Sequence, residues 1–73
     1  MQQLAVSSLI SITTRLKVEA NKAPTESYWP YCLGVVYSCA EKYHKAAEAY
    51  KSAYKLDKND EIAYQIAKTY DEL

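Results

Sequence analysis

The chain of 73 residues is poor in turn-forming residues and has no surplus of charge: it contains one glycine, two prolines and no phenylalanine. Many-stranded β folds need frequent Gly and Pro in their turns, so this composition excludes them. Nine basic side chains balance nine acidic ones, and phosphate attraction needs a basic excess, so we expect no nucleic-acid partner. No apolar run reaches the roughly 20 residues of a membrane helix, so we expect no membrane partner.

Residues that carry chemistry are also sparse. Cys32 and Cys39 would lie roughly 10 Å apart along a helix, which is too far for a disulfide between them. His44 is the single histidine, and no spacing of potential ligands is typical of a metal site. The sequence has neither a Gly-rich phosphate loop nor a loop suited to stabilise an oxyanion. We therefore expect no enzyme activity, no catalytic residue, no metal and no cofactor.

The sequence also bears on the compartment. Free thiols fit a reducing environment, so we expect a cytoplasmic protein. A targeting segment at the N-terminus is the alternative, because no acidic residue precedes Glu19. Arg15 and Lys17 follow the first apolar stretch, however, whereas a secretory signal places its basic residues before that stretch.

Apolar residues recur at helical spacing along the whole chain, and four helices account for the pattern. The first is predicted at 4–21, where Leu4 begins the apolar face, and the second at 27–39. The third is predicted at 43–56 and the fourth at 61–72. Together they predict an all-α fold with short connectors between neighbouring helices.

Individual residues add detail to these helices. Gly34 lies in the middle of the second helix, where Gly costs about 1 kcal/mol relative to Ala. We therefore expect the backbone of another helix to come very close to it. Ala46 and Ala53 provide small side chains on the apolar face of the third helix. Asp60 is the expected N-cap of the fourth helix.

A sequence pattern occurs twice. The segment Tyr31–Tyr37, YCLGVVY, aligns with Tyr64–Tyr70, YQIAKTY, at an offset of 33 residues. Tyr matches Tyr at both ends, Leu matches Ile, and Gly matches Ala. A period of about 33 to 34 residues with two helices per unit is typical of helical repeat arrays.

The residues of this repeat resemble the tetratricopeptide repeat family. The family pattern of Leu-Gly-x2-Tyr, followed by Ala-x3-Phe and a further Ala, is similar to Leu33-Gly34-x2-Tyr37, Ala46-x3-Tyr50 and Ala53. The resemblance covers one full unit at 27–59, half a unit at 60–73 and a degenerate helix at 4–21.

The chain departs from the family pattern at three places. Trp29 falls one position before the usual Trp, and Lys58 stands where the unit usually ends with Pro. The Gly that is common in the turn between paired helices is replaced near Glu41.

The resemblance implies antiparallel helix hairpins stacked as a short right-handed α-solenoid, in a single domain at 1–73. It also implies that the chain is a fragment of a longer array and binds a protein or peptide on the concave face of its helices. The binding residues that it implies are Tyr28, Tyr31, Val35, Tyr64, Lys68 and Asp71, with Ser38 and Glu61 on the same face.

Several alternatives remain open. Tyr28 and Tyr31 could instead pack against the first helix. The chain could be a structural module that forms a homodimer, in which Ile66 and Tyr70 complete the last unit across a two-fold axis. It could also be a piece of a larger protein whose activity lies elsewhere. An RNA-binding helical array is disfavoured by the neutral charge.

Overall fold

Four helices form the fold. The computed structural model describes the backbone of residues 2–73 and the side chains of residues 8–73, so the predicted apolar position Leu4 lies outside the described side chains. The helices are α1 (Gln2–Lys22), α2 (Tyr28–Cys39), α3 (Tyr43–Leu56) and α4 (Asp60–Asp71). The described residues contain no strand, which confirms the prediction of an all-α fold.

The helices follow one another in space as they do in sequence: α1 packs on α2, α2 on α3, and α3 on α4. The Cα atoms fill a flat volume of 38 × 31 × 14 Å. Residues of α1 and α3 line one shared cavity together with Tyr37 of α2, whereas two others are lined mainly by residues of α2 and α4, with Tyr43 of α3 in one of them. The molecule thus has an α1/α3 side and an α2/α4 side.

The core lies between α2 and α3. Leu33 and Tyr37 of α2 pack with Ala46 and Tyr50 of α3, and the Tyr50 side chain is only 2% exposed. The partly buried side chains that pack around this cluster come from all four helices: Leu16, Tyr31, Ala49 and Ile66. Burial of this apolar surface is the main term that holds the helices together.

Gly34 makes room for an aromatic ring. A Cβ atom at Gly34 would lie 2.5 Å from Cδ1 and Cε1 of Tyr50. The expectation that a backbone approaches Gly34 was therefore wrong, because the close neighbour is a side chain of α3. Ala46 and Ala53 are both 0% exposed, so the small residues of α3 face the interior as expected.

The α2–α3 connector is a tight turn with a left-handed residue. Glu41 has a φ of 61°. Its N–H donates to the Ser38 carbonyl at 3.0 Å, and the Lys42 N–H donates to the Tyr37 carbonyl at 2.8 Å. These two bonds satisfy carbonyls at the end of α2 in the Schellman arrangement, which usually places Gly at the left-handed position.

The N-terminus of α4 is capped by Asn59. Its Oδ1 accepts a hydrogen bond of 2.7 Å from the Glu61 N–H, while its backbone is extended. The prediction of Asp60 as the cap was wrong by one position, since Asp60 is the first residue of the helix. Asp60 and Glu61 nevertheless place negative charge in the first turn, where the helix dipole favours it.

The helix α1 is the longest of the fold and keeps several apolar side chains exposed, among them Ile10, Ile12 and Val18. Thr13 is buried, and its hydroxyl donates to the Ile10 carbonyl at 3.1 Å. Over residues 2–73, no helix has both the length and the apolar character needed to cross a bilayer.

Candidate functional site

A groove runs between α2 and α4 and contains two cavities, which we call the aromatic cavity and the polar cavity. The aromatic cavity is lined by Tyr28, Tyr31, Asn59, Glu61 and Ile62. The polar cavity is lined by Ser38, Cys39, Tyr43, Gln65, Lys68, Thr69 and Glu72. Each has a volume of about 260 Å³, below the 300–1,000 Å³ of typical small-molecule pockets. The cavities therefore suit single side chains better than a cofactor.

Two tyrosines of α2 form one wall of the aromatic cavity. Tyr28 is 59% exposed, and its ring meets that of Trp29 edge to face at a centroid distance of 4.8 Å. Its pKa is raised above the ordinary value, chiefly by the neighbouring Cys32 thiol. Tyr31 is half-buried, with its ring 5.5 Å from that of Tyr50. Tyr31 thus both packs on the core and lines the cavity.

The polar cavity lies at the other end of the groove, beside the end of α4. The buried Thr69 hydroxyl donates to the Gln65 carbonyl at 2.7 Å, which leaves the hydroxyl oxygen free to accept a further bond. Burial raises the pKa of Tyr43, and the negative charges of Glu72 and Glu41 raise it further. The Tyr43 hydroxyl therefore lies near two carboxylates, while Lys68 provides a cation in the lining of the same cavity.

One stripe of α4 presents exposed side chains beside the groove. Tyr64 is 60% exposed, and Lys68 and Asp71 are exposed as well. The carboxylate of Glu61 accepts a hydrogen bond of 3.2 Å from the Gln65 side chain, one turn further along the helix. Because these residues are three or four positions apart, they lie along one side of α4.

Val35 lies apart from the other predicted binding residues. It is 39% exposed and lines a third cavity, formed by α1 and α2, together with Leu9 and Ile12. This cavity has a volume of about 560 Å³ and is predominantly apolar. Tyr28 and Tyr31 are thus brought together in one cavity, Lys68 lines a second, and Val35 lines a third.

Several residues of the groove were not predicted from the sequence: Tyr43, Asn59, Ile62, Gln65, Thr69 and Glu72. Three of these, Gln65, Thr69 and Glu72, could have been found together with Lys68, because the spacing of 65, 68, 69 and 72 places all four on one side of a helix. Tyr43 could not, because it enters the groove from the start of α3.

The structure also shows the surroundings of the potential metal ligands, the two cysteines and the two residues suggested for a homodimer. Among the described residues, no three His, Cys, Asp or Glu side chains converge on a point that could hold a metal ion. Both cysteines are free thiols. Of the two residues suggested for a homodimer, Ile66 packs against the core, whereas Tyr70 is 44% exposed beneath the Lys51 ammonium group.

No protein-family model, curated protein or solved structure matches this chain. A functional assignment therefore depends on the groove's own residues and geometry.

Proposed function

We propose that the chain is a tetratricopeptide-like helical repeat module that binds a protein or peptide segment in the groove between α2 and α4. The observation that carries the proposal is the exposure of two tyrosines beside one groove, Tyr28 at 59% on α2 and Tyr64 at 60% on α4. Tyrosine presents a large contact area with only two side-chain torsions to fix, which makes it a frequent anchor in protein interfaces.

The repeat architecture is supported by what fills the core. The positions that the family pattern reserves for packing are occupied by Leu33, Tyr37, Ala46 and Tyr50, and these four form the buried cluster. The packing of each helix on its neighbour in sequence also agrees with successive helix hairpins. That arrangement leaves α2 and α4 together on one side of the module.

The binding mechanism follows from the shape and polarity of the groove. A partner segment would bury one side chain in the aromatic cavity against Tyr28 and Tyr31, and a second in the polar cavity near Thr69. Exposed Tyr64 lies on the helix between the two ends and would cover the intervening part of the segment. Lys68 and Asp71 would select partners by charge, since charges at an interface rim act on specificity and association rate. The two free thiols fit a cytoplasmic location.

The proposal can be tested by selecting peptides from a displayed library on the folded chain and measuring their affinities by calorimetry. We expect Tyr64→Ala to weaken the selected peptides by at least about tenfold, the equivalent of 1.4 kcal/mol. Lys55→Ala is the matched control, because Lys55 is exposed on α3, away from the groove. Failure to select any peptide, or equal affinity for Tyr64→Ala and wild type, would contradict the proposal.

A further inference from the structure

Charge is divided between the two sides of the molecule, although the chain as a whole is neutral. On the α1/α3 side, the two helices carry six basic and two acidic side chains. On the α2/α4 side, α2 carries no charge, and α4 carries three acidic side chains and one basic one. Glu72 adds a further carboxylate directly after α4. The two helices that line the proposed groove are thus the acidic pair, with Lys68 as the one cation among their residues.

Among residues 8–73, no cation forms an ion pair with the carboxylates of this side. The ion pairs among residues 8–73 are those of Glu19 on α1, which lies 3.7 Å from Arg15 and 3.7 Å from Lys22. Glu61 accepts only from the neutral Gln65 amide, and Glu72 lines the polar cavity without an ion pair in the described part of the chain. Burial is the main cause of the raised pKa of Tyr43, and the charges of Glu72 and Glu41 raise it further.

Two tyrosine rings outside the groove have a lysine ammonium group over them in the described part of the chain. The Lys51 ammonium lies 5.1 Å from the centroid of Tyr70, and the Lys45 ammonium lies 5.8 Å from that of Tyr37. Within about 6 Å, a cation is attracted by the negative face of such a ring. No Lys or Arg of residues 8–73 is placed over the more exposed rings of Tyr28 or Tyr64.

We propose that the segment bound between α2 and α4 is cationic, with Arg or Lys side chains that stack on Tyr28 and Tyr64 and pair with Glu61 and Glu72. This inference rests on the proposed function and names the partner class. Exposed aromatic faces and unpaired carboxylates complement the same guanidinium or ammonium group, one by cation–π attraction and the other by a charged hydrogen bond. An acidic segment would meet these carboxylates as like charges, so the groove discriminates against it.

The charge preference of the groove can be measured as its affinity for three fluorescein-labelled peptides of equal length, built from repeats of Arg-Leu-Gly, Gln-Leu-Gly and Glu-Leu-Gly. We expect the Arg peptide to bind at least about tenfold more tightly than the Glu peptide at low ionic strength, with the Gln peptide in between. Added salt should reduce the advantage of the Arg peptide, because the rim charges are exposed to solvent.

Single charge changes test the residues involved. We expect Glu61→Gln and Glu72→Gln each to weaken the Arg peptide about two- to fivefold, as exposed charge pairs do. Lys68→Gln should strengthen it, because Lys68 is the one cation lining the polar cavity. Lys55→Gln, on the α1/α3 side, is the control with the same change of charge and should leave the affinity unchanged.

Two results would overturn the inference in distinguishable ways. If the Gln or Glu peptide binds as tightly as the Arg peptide and loses affinity with Tyr64→Ala, the groove binds peptides but does not select cations. If none of the three peptides binds, the cationic partner and the groove are both contradicted.

Discussion

The backbone of Gly34 lies against the ring of Tyr50, so close that a Cβ atom there would come within 2.5 Å of two ring carbons. The ring cannot easily move aside, because Tyr50 is 2% exposed and packs with Leu33, Tyr37 and Ala46. This contact sets how closely α2 and α3 approach. It also places Tyr31, whose ring contacts that of Tyr50, at the groove between α2 and α4.

Substitution of Gly34 by Ala is expected to destabilise the fold. Overpacking typically costs 1–3 kcal/mol, and the better helix propensity of Ala recovers about 1 kcal/mol of it. The net loss in the free energy of unfolding should therefore be up to about 2 kcal/mol, measured by urea denaturation. The same change in a Tyr50→Leu background is the control, and its cost should be much smaller there because the ring is gone. An equal cost in both backgrounds would mean that the ring is not the obstacle.

Substitution of Glu41 by Gly is expected to stabilise the fold by about 0.5–1 kcal/mol, because a left-handed backbone costs an L-residue more than it costs Gly. Glu41 has a φ of 61° and is exposed, so little side-chain contact is lost. Thermal unfolding measures the change. The neighbouring Lys42 has a φ of −94°, so Lys42→Gly should give no gain. A destabilised Glu41→Gly variant would contradict this account of the turn.

Asn59 and Asp60 can be compared to test the cap of α4. Asn59→Ala should lower the free energy of unfolding by about 1 kcal/mol, because the Glu61 N–H loses its acceptor. Asp60→Ala removes only a charge near the helix dipole and should cost less, about 0.3–1 kcal/mol. Asn59→Asp keeps an acceptor and should be tolerated. Chemical denaturation of the three variants would show the order, and a larger loss for Asp60→Ala would restore Asp60 as the cap.

The positions and types of the helices followed from the apolar spacing, because each helix buries one side and short polar segments separate them. The position of the caps did not follow as closely, since Asn59 and Asp60 are both good cap residues and only the backbone conformation distinguishes them. In the same way, Gly34 indicated a close approach, but the predicted partner, the backbone of another helix, was wrong. A glycine inside a helix indicates that there is no room for a side chain at that position. Only the packed structure shows that the Tyr50 ring occupies the room.

The candidate site could be predicted in part. The side chains of Tyr28 and Tyr64 are both exposed, as a binding residue must be, and Tyr28 and Tyr31 line one cavity. Val35 does not join them, because its place on α2 turns it towards α1 and the apolar cavity there. Tyr43 was missed because it belongs to α3. The residue spacing along α2 and α4 cannot indicate that a residue of another helix also lines the groove.

The stability of the fold should fall at alkaline pH. Burial raises the pKa of Tyr50 above the ordinary value of about 10, so the unfolded chain loses this proton at a lower pH than the folded one. The contribution of the protonated Tyr50 to the free energy of unfolding is fully present below about pH 10 and declines as the pH rises beyond that value. Urea denaturation from neutral pH to about pH 11 should therefore show a shallower decline for Tyr50→Phe than for wild type. Parallel declines in the two proteins would contradict the assignment to Tyr50.

The central claim is that the groove between α2 and α4 binds a partner segment, and an NMR titration tests it most directly. The labelled chain would be titrated with a peptide selected on it, and amide shifts would be mapped onto the helices. We expect the largest changes at Tyr28, Tyr31, Tyr64 and Lys68, with little change at Lys17 and Ser52 on the α1/α3 side. Changes confined to the α1/α3 side, or spread evenly over the four helices, would contradict the claim.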